Sequence, residues 1–132
     1  MERVYLKPRL DKLGVHDGSR VALVGVDEDA FRDELLERTA DLTDGAPLPD
    51  TDLVFLAADS TDELMRLPEL RAHLKPNGAV WVVSRKGKAA TLRYEDILGA
   101  ALAAGLVDNK VVSFSESHTA LRLVIPRALR PR

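Results

Sequence analysis

VALVGVDEDAF, running from Val21 to Phe31, is the stretch on which the fold turns. Val21 to Val26 are apolar throughout but for Gly25, the pattern of a strand covered on both faces, as inside a parallel sheet. Asp27 is then expected as the N-cap of a helix whose inward stripe is Phe31, Leu35, Leu36 and Ala40, so that the helix runs to about Ala40. A strand, a glycine turn and a helix form the opening unit of a nucleotide-binding α/β fold. Here the turn holds a single glycine, Gly25, where such turns ordinarily hold three.

Working outward, Pro8 opens and Gly14 closes a short helix with its leucines inward, and the segment His16 to Ser19 turns the chain. Downstream, RTADLTDGAPLPDT has loop chemistry, with a short edge strand expected around Thr39 to Leu42. DLVFLAA, Asp52 to Ala58, is a second apolar strand, and Ser60 with Glu63 spells a capping box. Leu64, Leu67, Leu70 and Leu74 keep helical spacing, Pro68 kinks or restarts that helix, and KPNG ends it in a turn. AVWVVS, Ala79 to Ser84, is a third strand, in which Trp81 reads as core, and SRKGK is its cationic exit loop. A helix after Thr91 buries Ile97, Leu98, Ala101 and Leu102 and stops at Gly105. NKVVSFSESHTALRLVIP forms an antiparallel hairpin connected near Glu116 to Thr119. This order predicts right-handed crossovers onto one mostly parallel sheet of about 5–6 strands with helices on both faces. The expected fold class is therefore a three-layer, Rossmann-like α/β sandwich, a single domain over residues 1–132.

Composition narrows the chemistry. A chain of 132 residues with 45% apolar and 30% charged residues is expected to fold around one core. It has no cysteine, which excludes disulfides, thiolate nucleophiles and thiolate metal sites. No apolar run approaches the roughly 18 residues of a membrane span, and the start lacks the apolar core of a signal peptide, so a cytoplasmic location is expected. The net charge of −2 conceals an asymmetry: Asp27 to Glu63 holds 13 acidic and 2 basic residues, a balance of −11, leaving +9 elsewhere. The cations gather near the termini, at Arg3, Lys7, Arg9, Lys12 and Arg20 and again at Arg122, Arg127, Arg130 and Arg132. With 5% aromatic residues and no stacking motif, nucleic acid is not the expected partner. His16, His73 and His118 are too scattered for a metal motif, and SFSES lacks the G-x-S-x-G elbow of a serine nucleophile.

VALVG, DLVFLAAD and LRAHLKPNGAVWVVS resemble the first, fourth and fifth strands of S-adenosylmethionine (SAM)-dependent methyltransferases, and the closing hairpin resembles their antiparallel pair. KLGV, VALVG, AVWVVSRKG and GLVDNKVVSFSESHTALRLV resemble, more closely, short bacterial proteins of unknown function with this reduced architecture. The resemblance implies a methyltransferase-like order lacking one strand-helix unit, and SAM as the cofactor of a catalytic version. Against that cofactor, Asp27 and Asp29 stand where the second and third glycines of the methyltransferase turn would be. The family also places a carboxylate after its second strand to hold ribose hydroxyls, a role that falls to Asp41 or Asp44.

In open α/β sheets ligands bind at the carboxyl ends of the strands. With the strand order that the resemblance implies, that rule gathers Gly25, Asp27, Asp59, Ser84, Arg85, Lys86, Lys88 and His118 as ligand-binding candidates, with no catalytic or metal-ligating residue assigned. Cations there suit a carboxylate or phosphate, and His118 suits proton transfer; equally, Asp27 and Asp59 suit helix caps paired with the lysine and arginine side chains. The expected function is a non-catalytic binding or interaction module with no cofactor, its partner a small molecule or protein. The alternative is a small SAM-dependent methyltransferase with a modified cofactor turn. A homodimer through an edge strand or the alanine face of the last helix is a further reading.

Overall fold

The computed structural model describes residues 8–131; the terminal cations Arg3, Lys7 and Arg132 lie outside them. Strand β1 (Val21–Val24) is buried at every position, because it has a neighbour on each edge and helices over each face. It pairs in parallel with β2 (Leu42–Asp44) on one side and β3 (Thr51–Ala57) on the other. β4 (Leu74–Arg85) lies parallel to β3, and β6 (His118–Val124) inserts antiparallel between β4 and β5 (Val107–Ser113). The six-stranded order is β2-β1-β3-β4-β6-β5. The chain moves from β1 out to β2 and then back across to β3. Its direction therefore switches between β1 and β3, and a crevice forms at their carboxyl ends.

The period-2 alternation of the strands makes two cores. Along β4, Ala79, Trp81 and Val83 face α1 (Arg9–Lys12) and α2 (Asp29–Leu36), meeting Leu10, Phe31 and Leu35. Val80 and Val82 face α3 (Thr61–Leu64), α4 (Leu67–Arg71) and α5 (Tyr94–Ala103), meeting Leu64, Leu67, Leu70, Ile97 and Ala101. Trp81 is fully buried, and its indole N–H donates to the Leu13 carbonyl at 3.1 Å, fixing α1 to the sheet. The α/β class, the parallel core and the closing antiparallel hairpin agree with the sequence expectation.

Several boundaries differ. Asp27 is not the N-cap: α2 begins at Asp29 with Glu28 at its cap, in extended backbone and without a side-chain cap bond. Gly25, at φ +78°, turns the chain so that Val26 to Glu28 run on as an irregular segment before the helix starts. The helix stops at Leu36, which is 54% exposed, and Ala40 is exposed too. Thr39 turns inward there, its hydroxyl donating to the Ser19 carbonyl at 2.6 Å, and the edge strand starts at Leu42 rather than Thr39.

Pro68 restarts the helix, as α3 ends at Leu64 and α4 begins at Leu67. Leu74 belongs to β4, and KPNG is an excursion within that strand: Thr51 pairs with Leu74 but Leu53 with Ala79. In α5, Leu102 is 67% exposed and Ala101 and Ala104 face the sheet instead. The hairpin closes earlier than expected, over Phe114 to Ser117. There the amides of Phe114 and Ser115 both donate to the His118 carbonyl at 3.0 and 3.1 Å.

Candidate ligand cleft

The carboxyl ends of β1, β3 and β4 and the tip of the β5-β6 hairpin enclose a cleft of about 660 Å³, within the range of small-molecule sites. Val26, Ala57, Val83 and Phe114 give it apolar walls, while Asp27, Glu28, Asp59 and Glu116 place carboxylates around it and Arg85 and His118 face them. Gly25 lines it where β1 ends. A Cβ there would meet Ala57 Cβ at 3.6 Å, an ordinary contact, so the demand for glycine is the left-handed turn rather than space.

Each wall is held by identifiable bonds. Asp59 ties β3 to β4 by accepting from the Arg85 amide at 2.9 Å; its own amide donates to Glu63 at 2.9 Å, and its carbonyl accepts from the Thr91 hydroxyl. The Ser60–Glu63 cap forms beside it, with Ser60 Oγ accepting from the Glu63 amide at 3.2 Å. Arg85 Nε lies 3.8 Å from Asp59 Oδ2, a loose pair that leaves the guanidinium open to solvent and the cleft. At the hairpin tip the His118 amide donates to Ser115 Oγ at 3.1 Å, and His118 Nδ1 lies 2.7 Å from Ser117 Oγ. His118 stands opposite Arg85 in the β4-β6 register.

The remaining candidates lie elsewhere. Ser84 is buried, its neighbour Arg85 taking the cleft-facing position by strand alternation. Lys86 fastens the hairpin: its amide donates to the Ser117 carbonyl at 3.0 Å and its ammonium to Ser113 Oγ at 2.8 Å. Lys88 sits exposed in the 3₁₀ turn Gly87–Ala89 and does not line the cleft. Sequence reasoning missed Phe114 and Glu116. Phe114 was legible as the next inward position after Val112; Glu116 depended on where the turn closed.

The carboxylate candidates for ribose are already occupied. Asp44 is gripped by both terminal nitrogens of Arg32, and that hydrogen bond holds its carboxyl below the usual carboxylate range. Asp41 pairs with Arg20 Nε at 3.0 Å. Neither lines the cleft. Glu28 is likewise bound, by Arg9 at 3.2 Å; the same guanidinium pairs with Glu34, donates to the Phe114 carbonyl at 2.7 Å and rests over the Phe31 and Phe114 rings. Burial by itself lowers the Arg9 pKa, but the hydrogen bonds and charges of Glu34 and Glu28 outweigh it and raise it. Two aspartates stand where the resemblance places turn glycines, and both carboxylates it offers for ribose hydroxyls are bonded internally. Among the described residues no cluster of three or more metal-ligating side chains occurs, and no helix is long and apolar enough to cross a membrane.

The fold is shared with solved structures of low sequence identity, methyltransferases among them. The N-methyltransferase NodS from Bradyrhizobium japonicum WM9 superposes with a TM-score of 0.62 at 14% identity, covering 87% of this chain and 90% of that one. Fibrillarin from Aeropyrum pernix, solved with natively bound S-adenosyl-L-methionine, gives 0.55 at 12% identity, covering 83% of this chain and 67% of that one. The pyocyanin biosynthetic protein PhzM gives 0.63 at 11% identity over 87% of this chain, which spans only 53% of that protein. No curated protein matches in sequence. Residues 10–127, by contrast, match the model of the family described as protein of unknown function (DUF3052), and the chain belongs to that family.

Proposed function

We propose that the chain is a non-catalytic binding module that holds a small molecule in the cleft beside Gly25. The observation that carries this reading is the internal commitment of the groups that would otherwise serve a cofactor. Arg32 holds Asp44, Arg20 holds Asp41, and Asp27 and Asp29 fill the glycine positions of the turn. What stays accessible is a cleft with apolar walls and mixed charge at its rim. Four carboxylates there disfavour polyphosphates and favour a neutral or cationic body, with Arg85 available to one anionic substituent. Amide chemical-shift mapping against a library of neutral, cationic and phosphorylated small molecules tests the proposal. Neutral and cationic hits are expected to perturb Gly25, Asp59, Arg85 and His118 together; neutral or cationic hits that cluster elsewhere, or polyphosphates that perturb these four residues in preference to them, contradict it.

A second reading, a small methyltransferase with a modified cofactor turn, is favoured by one observation. The cleft is open, not filled by side chains, and has apolar wall enough to receive a flat ring. Fibrillarin's bound S-adenosyl-L-methionine illustrates that this fold accepts such a ligand in another protein. Binding of that compound separates the two readings.

A further inference from the structure

On the sheet face covered by α1, away from the cleft, Lys110 of β5 stands directly opposite Arg122 of β6. Like charges in that position repel, and sheets ordinarily avoid them. Other half-buried arginines have strong partners: Arg9, Arg20, Arg32 and Arg38 each hold a carboxylate, and Arg71 donates to the Gly105 carbonyl at 3.1 Å. Arg122 has neither. Among the described residues its hydrogen bond is one of 3.3 Å to the side chain of Asn109, the residue bulged between Asp108 and Lys110.

Lys110 Nζ donates to the Lys12 carbonyl at 2.9 Å, which brings the end of α1 alongside. Arg130 follows the 3₁₀ turn Arg127–Leu129, its Nε bound to the Ile125 carbonyl at 2.9 Å. Burial, and then repulsion from Arg130, lower the Arg122 pKa, so the guanidinium is both partly dehydrated and beside a like charge. Two acids on the neighbouring segments are engaged elsewhere, Asp11 with Arg38 and Asp108 with the Tyr94 hydroxyl.

We infer that Arg122, Lys110 and Arg130 form a site for a compact, multivalent oxyanion of the phosphate type, separate from the cleft beside Gly25. A forked guanidinium suits two oxygens of one phosphate, and a second and third cation balance its remaining charge. The adjacent aromatic on that face, Trp81, is fully buried, so a nucleobase finds no stacking platform and the ligand is a small phosphate rather than a nucleic acid strand.

The test is calorimetric titration of the full chain with inorganic pyrophosphate, at ionic strength matched with sodium chloride, beside a short single-stranded oligonucleotide. Pyrophosphate is expected to bind and to raise the melting temperature, with affinity falling at least tenfold in Arg122→Gln and several-fold in Lys110→Gln. Should Arg122→Gln fold poorly, Arg130→Gln, which alters no strand, is expected to weaken binding as well. No pyrophosphate binding above the chloride control, unchanged affinity in folded variants, or binding of the oligonucleotide alone overturns the inference. None of these results bears on the cleft, whose ligands are mapped at different residues.

Discussion

Arg9 shows how single side chains shape the cleft. Its guanidinium reaches Phe114, 105 positions along the chain, while holding Glu28 and Glu34 and lying on two aromatic rings. Removing it leaves two carboxylates unpaired and a carbonyl without its donor. Arg9→Met is therefore expected to cost about 2–3 kcal/mol in urea unfolding, the scale of hydrogen bonds to charged groups, with Arg9→Lys recovering only part because an ammonium has no fork. Arg32 and Asp44 make a different, exposed pair. The folded-state pKa of Asp44 is lowered, first by its hydrogen bond from Arg32. Its stabilising contribution is complete above the unfolded value of about 3.9 and fades as pH falls through the lower folded value. Thermal melts taken from about pH 5 to about pH 2 should show a shallower acid-side loss in Asp44→Asn than in the parent.

At the scale of elements, two glycines illustrate different constraints. Gly25 ends β1 at φ +78° with room for a methyl group, so Gly25→Ala should cost only the left-handed strain of about 1–2 kcal/mol. Gly78 has ordinary dihedral space but backbone on three sides: a Cβ would lie 2.9 Å from the Asp52 carbonyl oxygen, 3.0 Å from that of Thr51 and 3.1 Å from that of Lys75. Gly78→Ala must spread the β3-β4 excursion and is expected to destabilise by more than Gly25→Ala, about 3 kcal/mol, measured by chemical denaturation. The strands β1, β3 and β4 were legible because runs such as DLVFLAA have no polar face. The Lys75–Gly78 excursion was not: KPNG carries turn chemistry, and only pairing with β3 reveals that the strand begins before it. Asp27 was misplaced for a similar reason, since its side chain suits a cap but Gly25 delays the helix by one residue. Leu36 and Leu102 fit a helical stripe in sequence and still face solvent, because their neighbours Leu35 and Ala101 take the buried positions of the two helices.

At the scale of the molecule, element order alone carried the architecture and the location of the cleft. Asp59, Arg85 and His118 come from three separate segments, yet each was legible as lying at a strand's limit, Asp59 after β3, Arg85 at the close of β4 and His118 at the start of β6. The clamps were not legible. Arg9 to Phe114 and Arg32 to Asp44 depend on how the first two helices lie over the sheet, which no local pattern encodes. Those clamps carry the functional proposal, in which a cofactor-type crevice has its expected anchors already bonded. The most direct measurement is calorimetric titration of the intact chain with S-adenosylmethionine and its demethylated product, S-adenosylhomocysteine. The account predicts no saturable heat for either compound through the micromolar range. Micromolar binding, abolished by Gly25→Val, would contradict it and establish the cleft as a cofactor site.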